Sequence, residues 1–296
     1  MRVVVTGANG AVGRAILAAA PAHRLDVIAA VRSERAAADL RAHAGRARIV
    51  RVSYDDGANL GAACEGADAI VHLAGILVEG RSSTYEDAHV ATTRRVADAA
   101  KRGGVAKIVF VSAIGADERS ANRYWRTKAE AEAIVHASGV SHTVLRVPML
   151  LGRGTEAATV LRRRLRHRAT ALLDGGRTLQ QPLDVDDLAH AAIIACDPGV
   201  ANDRVLELAG PLAVPEREIV ERAARLLGRT IRIVPVPAPA VRLALGIVRR
   251  IAGPGFSRDA LEVLTTDTKL DALPAARALG IELSPLARMI ETSVAP

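Results

Sequence analysis

The first twenty residues constrain the fold more than any other part of the chain. Val3-Val4-Val5-Thr6 is the kind of β-branched run that forms a strand buried on both faces, and Gly7, Gly10 and Gly13 follow it directly. The alanine-rich run that comes next, residues 14–20, predicts a helix. In a strand, glycine turn and helix of this order, the glycines let the backbone approach a pyrophosphate, and the helix N-terminus faces that anion. The spacing therefore predicts a dinucleotide site.

Strands and helices alternate after this opening unit. Hydrophobic residues make up 50% of the 296 residues and aromatic residues only 2%, so Ala, Val, Leu and Ile must build the core. Helices are predicted at residues 33–44, with Ser33 as the cap, at 84–102 and at 125–138, each between apolar strands. This order predicts an α/β protein with a Rossmann-type, doubly wound parallel sheet, whose ligands bind at the carboxyl ends of the strands.

The alternation becomes irregular after Pro148, where Pro and Gly are frequent and the predicted strands are short. We therefore expect residues 1–150 to form the dinucleotide-binding domain. Residues 151–296 are expected to form a smaller, mostly helical lobe over the cofactor cleft, with some segments returning to the main sheet. The lobe is expected to bind a substrate or a partner.

The net charge of +8 does not predict a nucleic-acid partner, because the basic residues are scattered and stacking aromatic residues are nearly absent. The dense run Arg162–Arg168 has two interpretations that stay open, the solvated face of a helix or a contact with an anionic substrate or membrane surface. Residues 241–251 are apolar and basic, which is typical of a packed amphipathic helix or of one lying on a bilayer.

The remaining composition favours a protein of the cytoplasm. Cys64 and Cys196 lie far apart in apolar helical contexts, as buried thiols of a reducing compartment do, and no metal-ligand spacing is present. Met1 and Arg2 lead directly into the first strand, so no secretory signal is expected, and no run is long enough for a membrane span. The predicted partner is a small-molecule substrate; peripheral contact with a membrane or a protein complex is left open.

Tyr124 and Lys128 lie one helical turn apart at the start of the helix that follows the fifth strand. On one face of that helix, the ammonium can lower the pKa of the phenol and hold a nicotinamide ribose, while the phenol exchanges a proton with the substrate. The spacing alone is common, but only four of the 40 basic residues are lysine. The position after the fifth strand of a dinucleotide fold favours the catalytic interpretation over a surface pair.

At this point the chain resembles the short-chain dehydrogenase/reductase superfamily, and in particular its extended and atypical branches, which include the NAD-dependent epimerase/dehydratase-like proteins. Within that superfamily it is most similar to the atypical group that contains an accessory subunit of respiratory complex I. The motifs that carry the resemblance span residues 1–195: 6–13 (TGANGAVG), 68–75 (DAIVHLAG), 109–112 (VFVS), Tyr124 and Lys128, 145–148 (LRVP) and 184–187 (DVDD).

The resemblance implies a role for individual residues. The residues expected around the pyrophosphate are Gly7, Asn9, Gly10, Val12 and Gly13. Those expected near the adenosine are Arg32, Ser53, Tyr54, Ala74 and Gly75, and those expected near the nicotinamide are Ser112, Val147 and Pro148. The implied catalytic residues are Tyr124, Lys128 and Ser112. Asp186 or Asp187 is expected to cap a helix, and Arg146 to anchor structure near the cleft.

Three departures from the family pattern qualify these roles. Arg32 stands where relatives that prefer NAD carry Asp, and a guanidinium there can pair with a 2′-phosphate, so we expect NADP, with NAD as the alternative. His89 replaces a structural asparagine and is expected to be packed. Ile114 replaces a catalytic Ser or Thr and has no hydrogen-bond donor on its side chain.

These observations predict one of two functions. The first is an NAD(P)-binding oxidoreductase or epimerase-like enzyme in which Tyr124 and Lys128 support hydride transfer. The alternative is a non-catalytic NADP(H)-binding structural or sensor protein that docks a partner or a membrane complex, which Ile114 and His89 favour.

Overall fold

A seven-stranded parallel sheet forms the centre of the molecule. The computed structural model describes residues 1–54, 58–80, 83–241 and 257–295. The strands are β1 (Arg2–Thr6), β2 (Asp26–Val31), β3 (Arg48–Arg51), β4 (Ala69–His72), β5 (Lys107–Ala113), β6 (Ser141–Val147), β7 (Leu150–Leu151), β8 (Ala169–Leu173), β9 (Leu179–Gln180), β10 (Leu183–Asp184), β11 (Arg204–Glu207), β12 (Val214–Pro215) and β13 (Arg232–Val236). The sheet order β11-β6-β5-β4-β1-β2-β3 confirms the doubly wound topology.

Helices cover both faces of this sheet. They are α1 (Ala11–Ala19), α2 (Glu34–Arg41), α3 (Ala58–Cys64), α4 (Thr92–Arg102), α5 (Arg123–Ala137), α6 (Glu156–Leu165), α7 (Val185–Ile194), α8 (Glu216–Leu226), α9 (Arg258–Thr265), α10 (Leu273–Leu279) and α11 (Leu286–Val294). Because strand side chains alternate, Val3 and Val5 pack with α1, α2 and α7, whereas Val4 packs with α3, α4 and α5. The β-branched run thus fills two cores at once.

The second half of the chain contributes to both parts of the molecule. Helix α7 packs against α1 in the main core, and β11 extends the sheet by pairing in parallel with β6. A separate core of Leu, Ile, Val, Ala and Met side chains joins α6, α8 and α11, with β8 and β13 forming a short parallel pair beside it. The domain boundary at residue 150 stays a prediction, but the segment 185–207 belongs to the layers of the main sheet.

The basic run forms the C-terminal half of α6 and the turn after it. Arg162 donates to the carbonyl of Ser293 at 2.8 Å, and Arg164 pairs with Glu216 at 2.7 Å. Arg163 and Arg166 are exposed. The amphipathic segment predicted at residues 241–251 lies, apart from its first residue, outside the described residues. Among those described, no helix is both long and apolar enough to cross a membrane.

One predicted helix has the expected extent but begins with a different type of turn. Instead of a single helix over residues 84–102, the chain forms a π-helical turn at Glu86–Ala91 that continues into α4. Ser33 caps α2 as predicted, since its hydroxyl accepts from the amide of Ala36. The π-helical turn is important below because it carries His89.

We expect Gly13→Ala to lower the free energy of unfolding by about 1 to 3 kcal/mol, because a Cβ there would lie 2.4 Å from the carbonyl oxygen of Ala8. Gly61→Ala in α3 is the matched control. A Cβ at Gly61 meets nothing within 4 Å, so this change should stabilise the protein by about 0.5 to 1 kcal/mol. Urea unfolding of both variants tests the contact, and equal stabilities would contradict it.

Candidate functional site

The glycine turn leaves the N-terminus of α1 open to a ligand. Gly7 adopts φ +69°, a left-handed conformation that favours glycine, and the amide of Gly10 donates to its carbonyl at 3.0 Å. Gly10 is also the N-cap of α1, so no side chain caps the helix, and its first turn contains no acidic residue. The amides at this end are therefore available to an anion.

The surroundings of the glycines fit a pyrophosphate. A Cβ on Gly13 would clash with the backbone of Ala8, so α1 packs against its own turn without a side chain between them. A Cβ on Gly7 would lie 3.3 Å from the amide nitrogen of Ala74, which places the turn against the end of β4. Only a backbone without side chains gives a phosphate group this close access to amides.

Arg32, Ser53 and Tyr54 were predicted for the adenosine side of the site. They lie together where β1, β2 and β3 end. The hydroxyl of Tyr54 bonds to Thr6; burial raises the pKa of this phenol, and the charge of nearby Arg32 opposes the rise. Arg32 is exposed and forms no ion pair within the described part of the chain. Ser53 is partly buried beside them. Among the described residues, the guanidinium of Arg32 thus has no carboxylate partner and lies near Tyr54 at the end of β2.

Lys128 is a buried amine with an incomplete set of partners. It is 6% exposed, and its Nζ donates to the carbonyl of Val111 at 3.2 Å, the single acceptor found for it among the described residues. A Cβ on Gly75 would lie 3.0 Å from this Nζ. Burial lowers the pKa of Lys128 to about 8, and Glu132 partly opposes the shift. Since an ammonium carries three donors, two remain for a ligand beside Gly75.

Tyr124 differs from the prediction in its electrostatics. Asn122 caps α5 by accepting from the Tyr124 amide at 3.0 Å, and the ring contacts those of Tyr85 and His89 edge-on, with centroids 5.7 and 5.5 Å away. Burial, together with Tyr85, raises the pKa of the phenol. The lowering by Lys128 that the sequence predicted is not found, because burial dominates the pKa of this phenol and Tyr85 adds to the rise.

His89 lies between Gly75 and Tyr124 and is fully bonded. Its Nδ1 lies 2.9 Å from the hydroxyl of Thr127, and its Nε2 lies 3.0 Å from the carbonyl oxygen of Ile76. Burial and the charge of Lys128 lower its pKa to about 3, so the ring is neutral. This agrees with a packed histidine that holds the segment after β4 against α5.

A second histidine, which the sequence did not single out, connects the end of β1 to α4. His72 bonds through Nδ1 to Thr6 at 2.7 Å and through Nε2 to Thr93 at 3.0 Å. It is fully buried, which lowers its pKa to about 3. A lone histidine in an apolar strand gives no pattern to detect, since its partners lie far away in the sequence.

Ser112 has a hydroxyl without a partner. Its Oγ is buried and forms no hydrogen bond among the described residues. Ser112 shares a face of β5 with Phe110, whose ring lies 5.2 Å from the Nζ of Lys128, so this hydroxyl faces the layer of α5. Val147 is the last residue of the neighbouring strand β6, and Pro148 follows it. An unpaired buried donor beside the site fits a polar group of a ligand.

The acidic motif after β10 has a structural role, and the predicted cap is corrected. Asp184, not Asp186 or Asp187, caps α7 by accepting from the amide of Asp186 at 2.8 Å. Asp187 accepts instead from the amide and the hydroxyl of Ser284. Asp184 is the residue next to the helix because α7 begins at Val185, two or three residues earlier than a cap at Asp186 or Asp187 would give.

Arg146 pairs with Glu132 of α5. Its guanidinium donates to both carboxylate oxygens, at 2.7 to 3.2 Å, and thereby joins β6 to the helix that carries Tyr124 and Lys128. Arg146 thus holds α5 against β6 and has the structural anchoring role that was predicted for it.

A glycine turn at the end of β1 and a Tyr/Lys pair on α5 define a dinucleotide-binding protein of the Rossmann type. The chain belongs to the NAD(P)H-binding family, which it matches over residues 7–172. A nicotinamide dinucleotide is therefore its cofactor, and the resemblance to the extended and atypical short-chain dehydrogenases/reductases is confirmed.

Individual proteins show the same relationship. The chain is 31% identical to the (4-alkanoyl-5-oxo-2,5-dihydrofuran-3-yl)methyl phosphate reductase of Streptomyces griseus, over 82% of this chain and 80% of that one. It is 27% identical to NADH dehydrogenase [ubiquinone] 1 alpha subcomplex subunit 9 of Arabidopsis thaliana, over 89% of this chain and 69% of that one. The fold matches UDP-glucuronic acid 4-epimerase from Bacillus cereus in complex with NAD, with a TM-score of 0.78, 15% identity and 99% and 97% coverage.

The partner prediction is wrong as it was stated. It put a small-molecule substrate first and treated contact with a protein complex only as something left open. Relatives of this chain are by name subunits of NADH dehydrogenase [ubiquinone], which are components of a protein assembly. The sequence of the isolated chain contains no pattern that distinguishes a face for a protein partner from ordinary surface.

The pKa of Lys128 predicts how stability depends on pH. The folded state loses its proton near pH 8 and the unfolded state only near 10.5, so burial of the ammonium costs about 3 kcal/mol below pH 8, and the cost decreases as the pH rises through this window. We expect Lys128→Met to be more stable than the native protein at pH 7, and the difference to fall by about half at pH 9.5.

Urea unfolding at both pH values measures this difference. Lys101→Met, on the exposed side of α4, is the control and should show no such dependence on pH. A stability gain for Lys128→Met that is the same at pH 7 and pH 9.5 would contradict a buried, titrating amine.

Proposed function

We propose that this protein is an NADP(H)-dependent oxidoreductase in which Tyr124 donates a proton to a substrate carbonyl. The observation that carries the proposal is the buried amine of Lys128, which has one protein acceptor, lies beside Gly75 and follows Tyr124 by one helical turn. A surface Tyr/Lys pair would be solvated, whereas this pair lies where the carboxyl ends of β4 and β5 open toward the cofactor turn.

Two features of the site fit the cofactor. They are the glycine turn and the two N–H donors of Lys128 that have no acceptor among the described residues. The uncapped amides of α1 would bind the pyrophosphate, and the free donors of Lys128 would bind ribose hydroxyls near Gly75. When it is bound, the nicotinamide supplies or accepts a hydride. The protein then has to hold the reacting carbon in place and manage the accompanying proton.

Tyr124 is neutral at pH 7 and can therefore donate a proton to a carbonyl oxygen but not accept one. Burial raises its pKa and makes it a weaker acid than an exposed tyrosine, so the transfer depends on groups that stabilise the phenolate. The ammonium of Lys128 favours any negative charge that develops on the phenol once its proton has moved. Ser112 offers the second donor that Ile114 lacks. Together these groups support reduction of a carbonyl.

Tyr124→Phe should reduce NADPH-dependent turnover by about 10²- to 10⁴-fold and leave NADPH affinity within about twofold, since it removes only the proton donor. Turnover of a panel of aldehydes, ketones and quinones measures the first quantity, and calorimetric titration measures the second. Tyr85→Phe is the matched control, because its hydroxyl donates to the carbonyl of Leu77 and lies outside the proton path.

A second function has its own support. A non-catalytic dinucleotide-binding subunit of a protein complex would explain Ile114 and the raised pKa of Tyr124, and the Arabidopsis relative is by name a subunit of such an assembly. Tight NADPH binding without turnover across the panel, or Tyr124→Phe equal to the native enzyme, would favour this role and contradict the first.

Arg32 supports NADP over NAD. It follows β2, is exposed and has no carboxylate partner in the described ranges, and it lies close enough to Tyr54 for its charge to affect that phenol. A guanidinium binds a phosphate group with charge-assisted bonds, and it offers no acceptor to a ribose hydroxyl.

Arg32→Ala should therefore weaken NADPH binding about ten- to a hundredfold and leave NADH binding unchanged. Arg48→Ala removes the same charge at the opposite end of the sheet, on the first residue of β3, and should affect neither cofactor. The rise in melting temperature with each dinucleotide gives the comparison. Equal losses for NADPH and NADH would show that Arg32 does not read the 2′-phosphate.

A further inference from the structure

Two histidines meet at the edge of the molecule opposite to the cofactor turn. His136 lies in the last turn of α5, and His142 is the second residue of β6, after a short turn that includes Gly139 at φ +76°. His142 is 4% exposed, whereas His136 is exposed. Neither residue has a role in the function proposed above, because Tyr124 lies at the other end of the same helix.

The two ring nitrogens are separated by the distance that one metal ion requires. The Nδ1 of His136 lies 3.3 Å from the Nε2 of His142, and the rings are nearly perpendicular at 86°. Two imidazole nitrogens bound to one tetrahedral Zn²⁺, each about 2.0 to 2.1 Å from the ion, lie about 3.3 to 3.4 Å apart. The separation of these two hydrogen-bonded nitrogens is therefore that of two ligands of one ion.

The surroundings of His142 fix which of its nitrogens can bind a metal. Its Nδ1 faces two acceptors, the carboxylate of Asp203 at 3.1 Å and the carbonyl of Val140 at 3.3 Å. Nδ1 must therefore carry the proton, which leaves the lone pair on Nε2, the nitrogen that faces His136. Asp203 also accepts from the backbone amide of His142, which holds the carboxylate in place.

This arrangement is the one that orients histidine ligands in metal proteins. A metal-bound histidine commonly donates its second ring N–H to a carboxylate, which sets the tautomer and raises the basicity of the ligand. His136 needs only to move its own proton from Nδ1 to the exposed Nε2, through solvent, to offer a second lone pair. Water would fill the remaining coordination positions, because the described residues offer no third ligand here.

We propose that His136 and His142 form a two-histidine site for Zn²⁺ or a similar imidazole-binding cation such as Ni²⁺ or Cu²⁺. The described residues contain no group of three or more candidate ligands, so binding through two histidines is expected to be in the micromolar range and reversible. The ion would join the C-terminal end of α5 to β6 and to the loop that carries Asp203. About 18 Å of helix separates this site from Tyr124, at 1.5 Å per residue.

Calorimetric titration of the full chain with ZnCl₂ at pH 7.5 tests the site. We expect one ion per chain, with binding reduced at least tenfold in His136→Gln and in His142→Gln. Asp203→Asn keeps both ligands and loses only the carboxylate, so a loss of about ten- to a hundredfold is expected for it if the carboxylate orients His142. Bound Zn²⁺ should also raise the melting temperature of the native chain but not that of the two histidine variants.

A second histidine pair provides the matched control. His23 and His190 have ring centroids 5.5 Å apart but make no contact between ring nitrogens in the described structure. His190→Gln should therefore leave Zn²⁺ binding unchanged. Absence of saturable binding would overturn the proposal, and so would binding that survives both His136→Gln and His142→Gln. Melting curves without metal show whether each variant is folded, which keeps a folding defect from being read as loss of the site.

Discussion

The close contact between Gly13 and Ala8 determines where everything else in the site can lie. No side chain separates α1 from the turn before it, so the helix begins directly above the end of β1. The same turn brings Gly7 against the backbone of Ala74, and one residue further Gly75 lies beside the amine of Lys128. Backbone packing without side chains thus sets the spacing between the pyrophosphate end and the ribose end of the site.

The ammonium of Lys128 is buried at a cost in free energy, and the protein offers it few partners. This is expected of a group that binds a ligand. Its neighbour Glu132 does not neutralise it, because that carboxylate is already paired with the guanidinium of Arg146. Val111 supplies a single carbonyl, and the ring of Phe110 lies below the amine. The other buried lysine, Lys107, has two protein acceptors, the carbonyl of Val200 and the side chain of Asn202. Lys128 has one in the described part of the chain, so more of its donors are left for a ligand.

The sequence was informative where local pattern controls structure. The run Val3–Val5 and the glycines predicted the strand, the turn and the helix because each depends on neighbours a few residues away. The electrostatics of Tyr124 were predicted in the wrong direction, since the rings that desolvate the phenol, Tyr85 and His89, come from another segment. The π-helical turn that positions His89 has no pattern by which it could be told from an ordinary helix.

The replacement of a hydroxyl by Ile114 is partly offset by geometry. Residues two apart on a strand share a face, so Ser112 presents its hydroxyl on the side of β5 that a residue at position 114 would face if the strand continued. The Ser112 hydroxyl lies about 6 to 7 Å further from the end of β5 than a hydroxyl at position 114 would, since a strand rises about 3.3 Å per residue. A carbonyl that is to meet both Ser112 and Tyr124 must therefore lie closer to the body of the sheet than one that a hydroxyl at position 114 would bind. Because Ser112 is buried and its hydroxyl is unpaired, a ligand oxygen that reaches this depth would satisfy a donor that the protein leaves open.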